Sequence, residues 1–141
     1  MQKNTPTTWN PLNYSTKASI YMLSHITDGP TKFEFVLSSI HEKNITKIKI
    51  LFRKSTQAYK ITRKKYDAET LPMIKLAFGT QFDPEWMFYT ASESSYLEWI
   101  ASESYDVWKP LGFIQFSFIT SDMIIDVVAS YEPEVMLINE L

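Results

Sequence analysis

The stretch Phe113–Tyr131, FIQFSFITSDMIIDVVASY, decides the fold. Its first part sets Phe and Ile in alternation with Gln115 and Ser117, which reads as a strand over 113–120 because strand side chains point to opposite faces in turn. Ser121 is then placed to cap a helix running to about Tyr131, with Asp122 in the first turn, where the helix dipole favours a negative charge. On that helix Ile124, Ile125, Val128 and Tyr131 share one face, and Asp122 and Asp126 lie one turn apart on the other. Pro133 ends it, and Val135–Ile138 makes a last short strand.

The residues before this stretch repeat the mixture. Thr70 caps a short helix to Phe78, which Gly79 closes. Trp86–Ala91 is a short aromatic strand. Ser92 or Ser94 opens a helix to about Ser104, with Tyr96, Leu97, Ile100 and Ala101 as its apolar stripe. The first half reads differently. Residues 18–26, 32–40, 45–53 and 59–64 alternate in strand fashion, and Asp28-Gly29-Pro30 and His41–Asn44 mark turns. Short connections favour hairpins, so these segments predict an antiparallel meander. The expected class is a single α+β domain. Residues 1–14 form a loop or arm anchored by Trp9 and Leu12, 18–65 a basic β-meander, and 66–141 an acidic half of helices alternating with short strands.

Charge divides along the same line. The 141 residues carry a net charge of −2. Residues 1–65 hold twelve Lys and Arg against three acids, and residues 66–141 hold two Lys against thirteen acids. Such polarity is explained either by two halves that complement each other or by surfaces that meet charged partners.

Several chemistries are disfavoured. The chain has no cysteine, so it holds no disulfide, thiolate zinc site or cysteine nucleophile. His25 and His41 are the two histidines. His41-Glu42 begins an H-E-x-x-H pattern, but position 45 is Ile45, so the second zinc ligand is missing. The three glycines, Gly29, Gly79 and Gly112, form no phosphate-cradling loop. The carboxylate pairs Glu98/Glu103 and Asp122/Asp126 read as solvated helix faces. No apolar run approaches the ~20 residues of a membrane helix, and the start of the chain lacks the basic and apolar segments of a secretory signal. The expectation is therefore a cytoplasmic protein that is not an enzyme and uses no cofactor or metal.

Two surfaces stand out. Lys47, Lys49 and Arg53 on one strand, with Lys60 and Lys64 on the next, would make a basic patch if those strands pair. The aromatics nearby fall on the opposite parity, so nucleic-acid binding through this patch is a secondary reading. The acidic half sets Asp83, Glu85, Glu98, Glu103 and Asp106 among aromatics that include Trp99 and Trp108, with no base between Asp83 and Trp108. Exposed tryptophan and complementary charge are the marks of protein-binding surfaces. These seven residues are the expected contact with a basic protein partner, and the chain is read as a non-enzymatic protein-binding module. Its concrete version is a bacterial immunity protein or antitoxin that neutralises a basic, nuclease-like toxin. The alternative is a small-ligand-binding protein or enzyme with an aromatic-lined pocket.

Overall fold

The alternating segments of the first half become strands where their alternation places them. The fold is that of a computed structural model, which describes residues 7–12, 21–39, 46–54, 56, 58–63, 86–103 and 112–139. In chain order the elements are β1 (Thr7–Thr8), β2 (Tyr21–Asp28), β3 (Phe33–Ser39), β4 (Thr46–Phe52), β5 (Ala58–Arg63), β6 (Phe88–Ala91), α1 (Ser95–Glu103), β7 (Ile114–Ile119), β8 (Met123–Ala129) and β9 (Glu134–Asn139). The expected α+β class is overturned. The described residues are mostly antiparallel β-sheet, in two sheets, with one short helix.

The stretch that decides the fold is where the expectation fails. Residues 121–131 are not a helix. Ser121 and Asp122 form the tight turn of a hairpin between β7 and β8, in which Ile119 pairs with Ile124 and Ser117 with Asp126. The Thr120 hydroxyl donates to the Met123 carbonyl (3.1 Å) and accepts from its N–H (3.0 Å). Short polar side chains serve turns and helix caps by the same local hydrogen bonds, so the residue types at 120–122 suit both. The segment after the turn, MIIDVVA, is rich in β-branched residues whose restricted χ1 favours a strand.

One sheet has the order β2-β3-β4-β9 and the other β1-β6-β7-β8-β5. The first three meander strands pair as expected. The hairpin between β2 and β3 turns at Gly29, whose N–H donates to the Lys32 carbonyl (2.9 Å). The meander then breaks, because β5 leaves it to pair with β8, and β9 enters its place beside β4. The four-stranded sheet therefore takes one edge strand, β9, from the second half of the chain, and the five-stranded sheet takes both of its edge strands, β1 and β5, from the first.

The sheets pack face to face. Phe33, Phe35 and Leu37 of β3 and Ile48, Ile50 and Phe52 of β4 meet Phe116 and Phe118 of β7, with Ile125 and Val127 of β8 in the same buried cluster. Rings interlock across the gap: Phe35 lies 5.0 Å from Phe118 and Phe52 lies 5.8 Å from Phe116, both edge to face. Trp9 and Leu12 of the N-terminal arm pack against this core, and Trp9 sits 5.4 Å from Phe116. The expected helix over 70–78 and the turn at 41–44 lie outside the described residues. Among the described residues no helix is long and apolar enough to cross a membrane.

Candidate functional site

The outer face of the five-stranded sheet carries a row of aligned residues. Thr8 pairs with Tyr89, Tyr89 with Ser117, Ser117 with Asp126, and Asp126 with Lys60. Directly opposed residues share a face, so the five side chains cross the sheet in line. Two residues before Ser117, and so on the same face of β7, Gln115 joins them. Asp126 is only 6 % exposed, and Gln115 and Ser117 are also buried.

Their hydrogen bonds form one chain. The Ser117 hydroxyl donates to Asp126 Oδ1 (2.6 Å), and the Gln115 amide donates to the same oxygen (3.0 Å) and to Ser117 Oγ (2.9 Å). The Gln115 carbonyl accepts from the Ser94 hydroxyl (2.5 Å), and Ser94 Oγ accepts the N–H of Leu97 (3.0 Å). Of the two expected caps, Ser92 and Ser94, it is Ser94 that caps α1, and the cap is tied through Gln115 to a buried carboxylate. Burial pushes the Asp126 carboxyl above its ordinary range, while the hydrogen bond from Ser117, the charge of Lys60 and the bond from Gln115 pull the other way. The Ser117–Asp126 pair has the length of a catalytic hydrogen bond, but both groups are buried and already engaged by Gln115. The arrangement ties the cap of α1 to the sheet through Gln115.

The helix so fixed has a buried side and an acidic side. Ile100 and Ala101 are buried, whereas Glu98, Trp99 and Glu103 are exposed, and its sequence SYLEWIASE contains no base. Trp99, 59 % exposed, is the most exposed large apolar side chain among the described residues. It stacks on Tyr96 (6.3 Å between rings, 16° between planes), and Lys60 Nζ lies over the other aromatic, 4.5 Å from the Tyr96 ring centre. Burial, then the nearby charge of Asp126, holds the Tyr96 hydroxyl above its ordinary pKa. Two clefts flank the helix. One of about 350 Å³ has Leu97, Ile100, Ala101, Phe113 and Val128 in its walls and Glu93 and Glu98 beside them. The other, about 430 Å³, is lined by Tyr59, Lys60, Ser95, Tyr96 and Trp99.

Of the expected contact residues, the structure brings Glu98, Trp99 and Glu103 onto one helix, while Asp83, Glu85, Asp106 and Trp108 lie outside the described residues. The basic patch is divided. Lys47 and Lys49 stand on β4 in one sheet with Arg53 just beyond, Lys60 stands on β5 in the other, and Lys64 is outside the described residues. Lys49 is 3.3 Å from Glu34, and Arg53 is paired with Glu134. His25 is exposed on β2, and no group of three metal-ligating side chains occurs among the described residues.

Sequence reasoning missed Gln115, Ser117 and Asp126 as a unit. The signal for the first two is present, since they are polar residues at i and i+2, hence on one face of an apolar strand. The helical reading puts Asp126 on a solvated face, and only the hairpin brings it opposite Ser117. The chain matches no protein-family model, no curated protein and no solved structure.

Proposed function

We propose that the chain is a non-enzymatic protein-binding module that meets a basic protein through the exposed face of α1. The observation that carries this reading is Trp99, standing 59 % exposed on a helix whose outward residues include Glu98 and Glu103 and which carries no base. Covering that indole would withdraw on the order of 100 Å² of apolar surface, worth about 2–3 kcal/mol at ~25 cal/mol per Å². That is the size of an interface hot spot, and tryptophan is the residue most enriched in them. The acids supply the second requirement, a potential that speeds encounter with a cationic surface and sets its orientation. The capped, tethered helix supplies the third, because a contact surface that is already ordered loses little entropy on binding.

Neutralisation of a basic, nuclease-like toxin as an immunity protein is the specific form of this proposal, and a cytoplasmic location accompanies it. The test is calorimetry with the purified basic product of a neighbouring reading frame, at low and high salt. A complex is expected that Trp99→Ala weakens at least thirtyfold and that charge reversal at Glu98 and Glu103 weakens together with its salt dependence. Absence of any complex, or one indifferent to Trp99→Ala, would refute the reading.

A further inference from the structure

The two clefts beside α1 differ in chemistry. The one lined by Trp99 holds a base, Lys60. The one of about 350 Å³ on the other flank holds none among its described lining residues. Its floor is apolar: Val128 of β8 and Ile100 of α1 are buried, and Leu97 and Phe113 are half-buried. Its polar side is acidic, since Glu93 and Glu98 line the same cleft and both are exposed.

We propose that this cleft receives a long basic side chain, lysine or arginine, from the basic protein that covers Trp99; the inference rests on that reading of α1. Charge and shape select the occupant together. A side chain with an apolar stem and a charged head meets both parts of the cleft at once, the stem on Leu97, Phe113 and Val128 and the head beside Glu93 and Glu98. A wholly apolar side chain would cover the carboxylates without a counter-charge, and an acidic one would be repelled. The volume lies at the small end of the ~300–1,000 Å³ of ligand sites, which suits one side chain better than a drug-sized molecule.

Position agrees with this. Glu98 lines the cleft and is the chain neighbour of Trp99 on the exposed side of the helix. An interface of standard size covers ~800 Å² on each partner, and a helix is only ~10 Å across, so a partner seated on the indole also passes the cleft. The helical wall is fixed before binding. Ser94, itself in the lining, accepts the Leu97 N–H (3.0 Å) and donates to Gln115 (2.5 Å). A side chain entering a preformed slot costs little reordering of the protein around it.

Two measurements test this on the full chain. The first is an amide NMR titration with n-pentylamine, pentanoate and 1-pentanol as probes. Pentylamine is expected to shift the amides of 93–101 and to bind at least fivefold more tightly than the other two. Glu93→Gln should weaken it at least threefold, and Trp99→Ala should leave it unchanged. The second is calorimetry with the purified basic product of a neighbouring reading frame. Glu93→Gln and Leu97→Gln are each expected to weaken the complex at least tenfold, and one lysine or arginine of the partner, changed to alanine, should abolish the effect of Glu93→Gln. Circular dichroism checks folding, and the exposed Glu93 carries the test should Leu97→Gln fail to fold. A complex that needs Trp99 but ignores Glu93→Gln, or a cleft that takes pentanol or pentanoate as readily as pentylamine, overturns the inference and leaves the reading of Trp99 standing. Absence of any complex refutes that reading, and with it a partner as the source of the cation, even where pentylamine binds.

Discussion

β5 and β9 occupy equivalent places and solve them differently. Each is an edge strand, and each belongs by sequence to the half of the chain that builds the opposite sheet. Each also brings its half's charge with it. β5 sets Lys60 opposite Asp126, under the helix and beside a buried hydrogen-bond chain. β9 sets Glu134 beside Arg53 at the surface, where both side chains are about half exposed or more. The charge polarity of the sequence thus resolves partly into cross-half pairs made by exchanging edge strands. The surroundings differ, and so does the expected energy: attraction beside a buried carboxylate is little screened, whereas an exposed pair competes with water and salt.

Perturbations can break or sharpen this contrast, and the largest acts on the core that both exchanged strands share. Phe118 touches Phe35 across the sheets (5.0 Å) and packs on Phe88 and Trp9 (6.0 Å each). Phe118→Ala is expected to cost about 3–5 kcal/mol through lost burial and the cavity left behind, measured by chemical denaturation. Both edges lose their support together, so exchange protection should fall in β5 and β9 alike.

Next comes the buried side of the contrast. Asp126→Ala strips the acceptor from Ser117 and Gln115 and is expected to cost about 2–3 kcal/mol. Asp126→Asn keeps an oxygen at that place and tests the charge alone. Because burial raises the carboxyl pKa in the folded state, the folded chain holds the proton more tightly than the unfolded chain. Stability from this group is full below the ordinary carboxylate range and is lost as pH rises through the raised value. Denaturation midpoints from about pH 4 to about pH 8 should therefore show a falling component in the parent that Asp126→Asn removes. Lys60→Met should enlarge it, since the lysine's charge is one of the groups holding the carboxyl down.

A smaller effect tests whether the helix depends on the same chain of bonds. Ser94→Ala removes the cap of α1 and the donor to Gln115, for an expected loss of about 1–2 kcal/mol. It should also raise amide exchange in 95–103 before exchange elsewhere changes. The smallest effect lies on the β9 side. Glu134→Gln is expected to change stability by less than about 0.5 kcal/mol, because the Arg53–Glu134 pair is exposed. A double-mutant cycle with Arg53→Gln measures the coupling, and a value near that of Lys60 with Asp126 would erase the contrast between the two edges.

Part of the fold is legible in the residues. The first three meander strands come from alternation that one covered face imposes. Ser94 at the head of α1 and the apolar stripe through Ile100 come from cap chemistry and helical spacing. Trp99 and its acidic neighbours are marked by residue type. β8 is not legible, and the reason is its place in the fold. One of its faces looks into the sheet-to-sheet core, and Val128 on the other lines the cleft beneath α1. A strand covered on both sides loses its alternation, and MIIDVVA then fits a helical stripe as well as a buried strand.

The information that the sequence determined by itself is local: where most strands and the helix can form, which turns close them, and that bases crowd one half and acids the other. Tertiary structure alone decided which strands share a sheet. That choice sent β5 and β9 across to opposite halves, divided the basic residues between two sheets, and turned Asp126 from a surface acid into a buried acceptor. Pairing between strands distant in sequence depends on the whole core that the pairing creates, and no window of the chain contains that information.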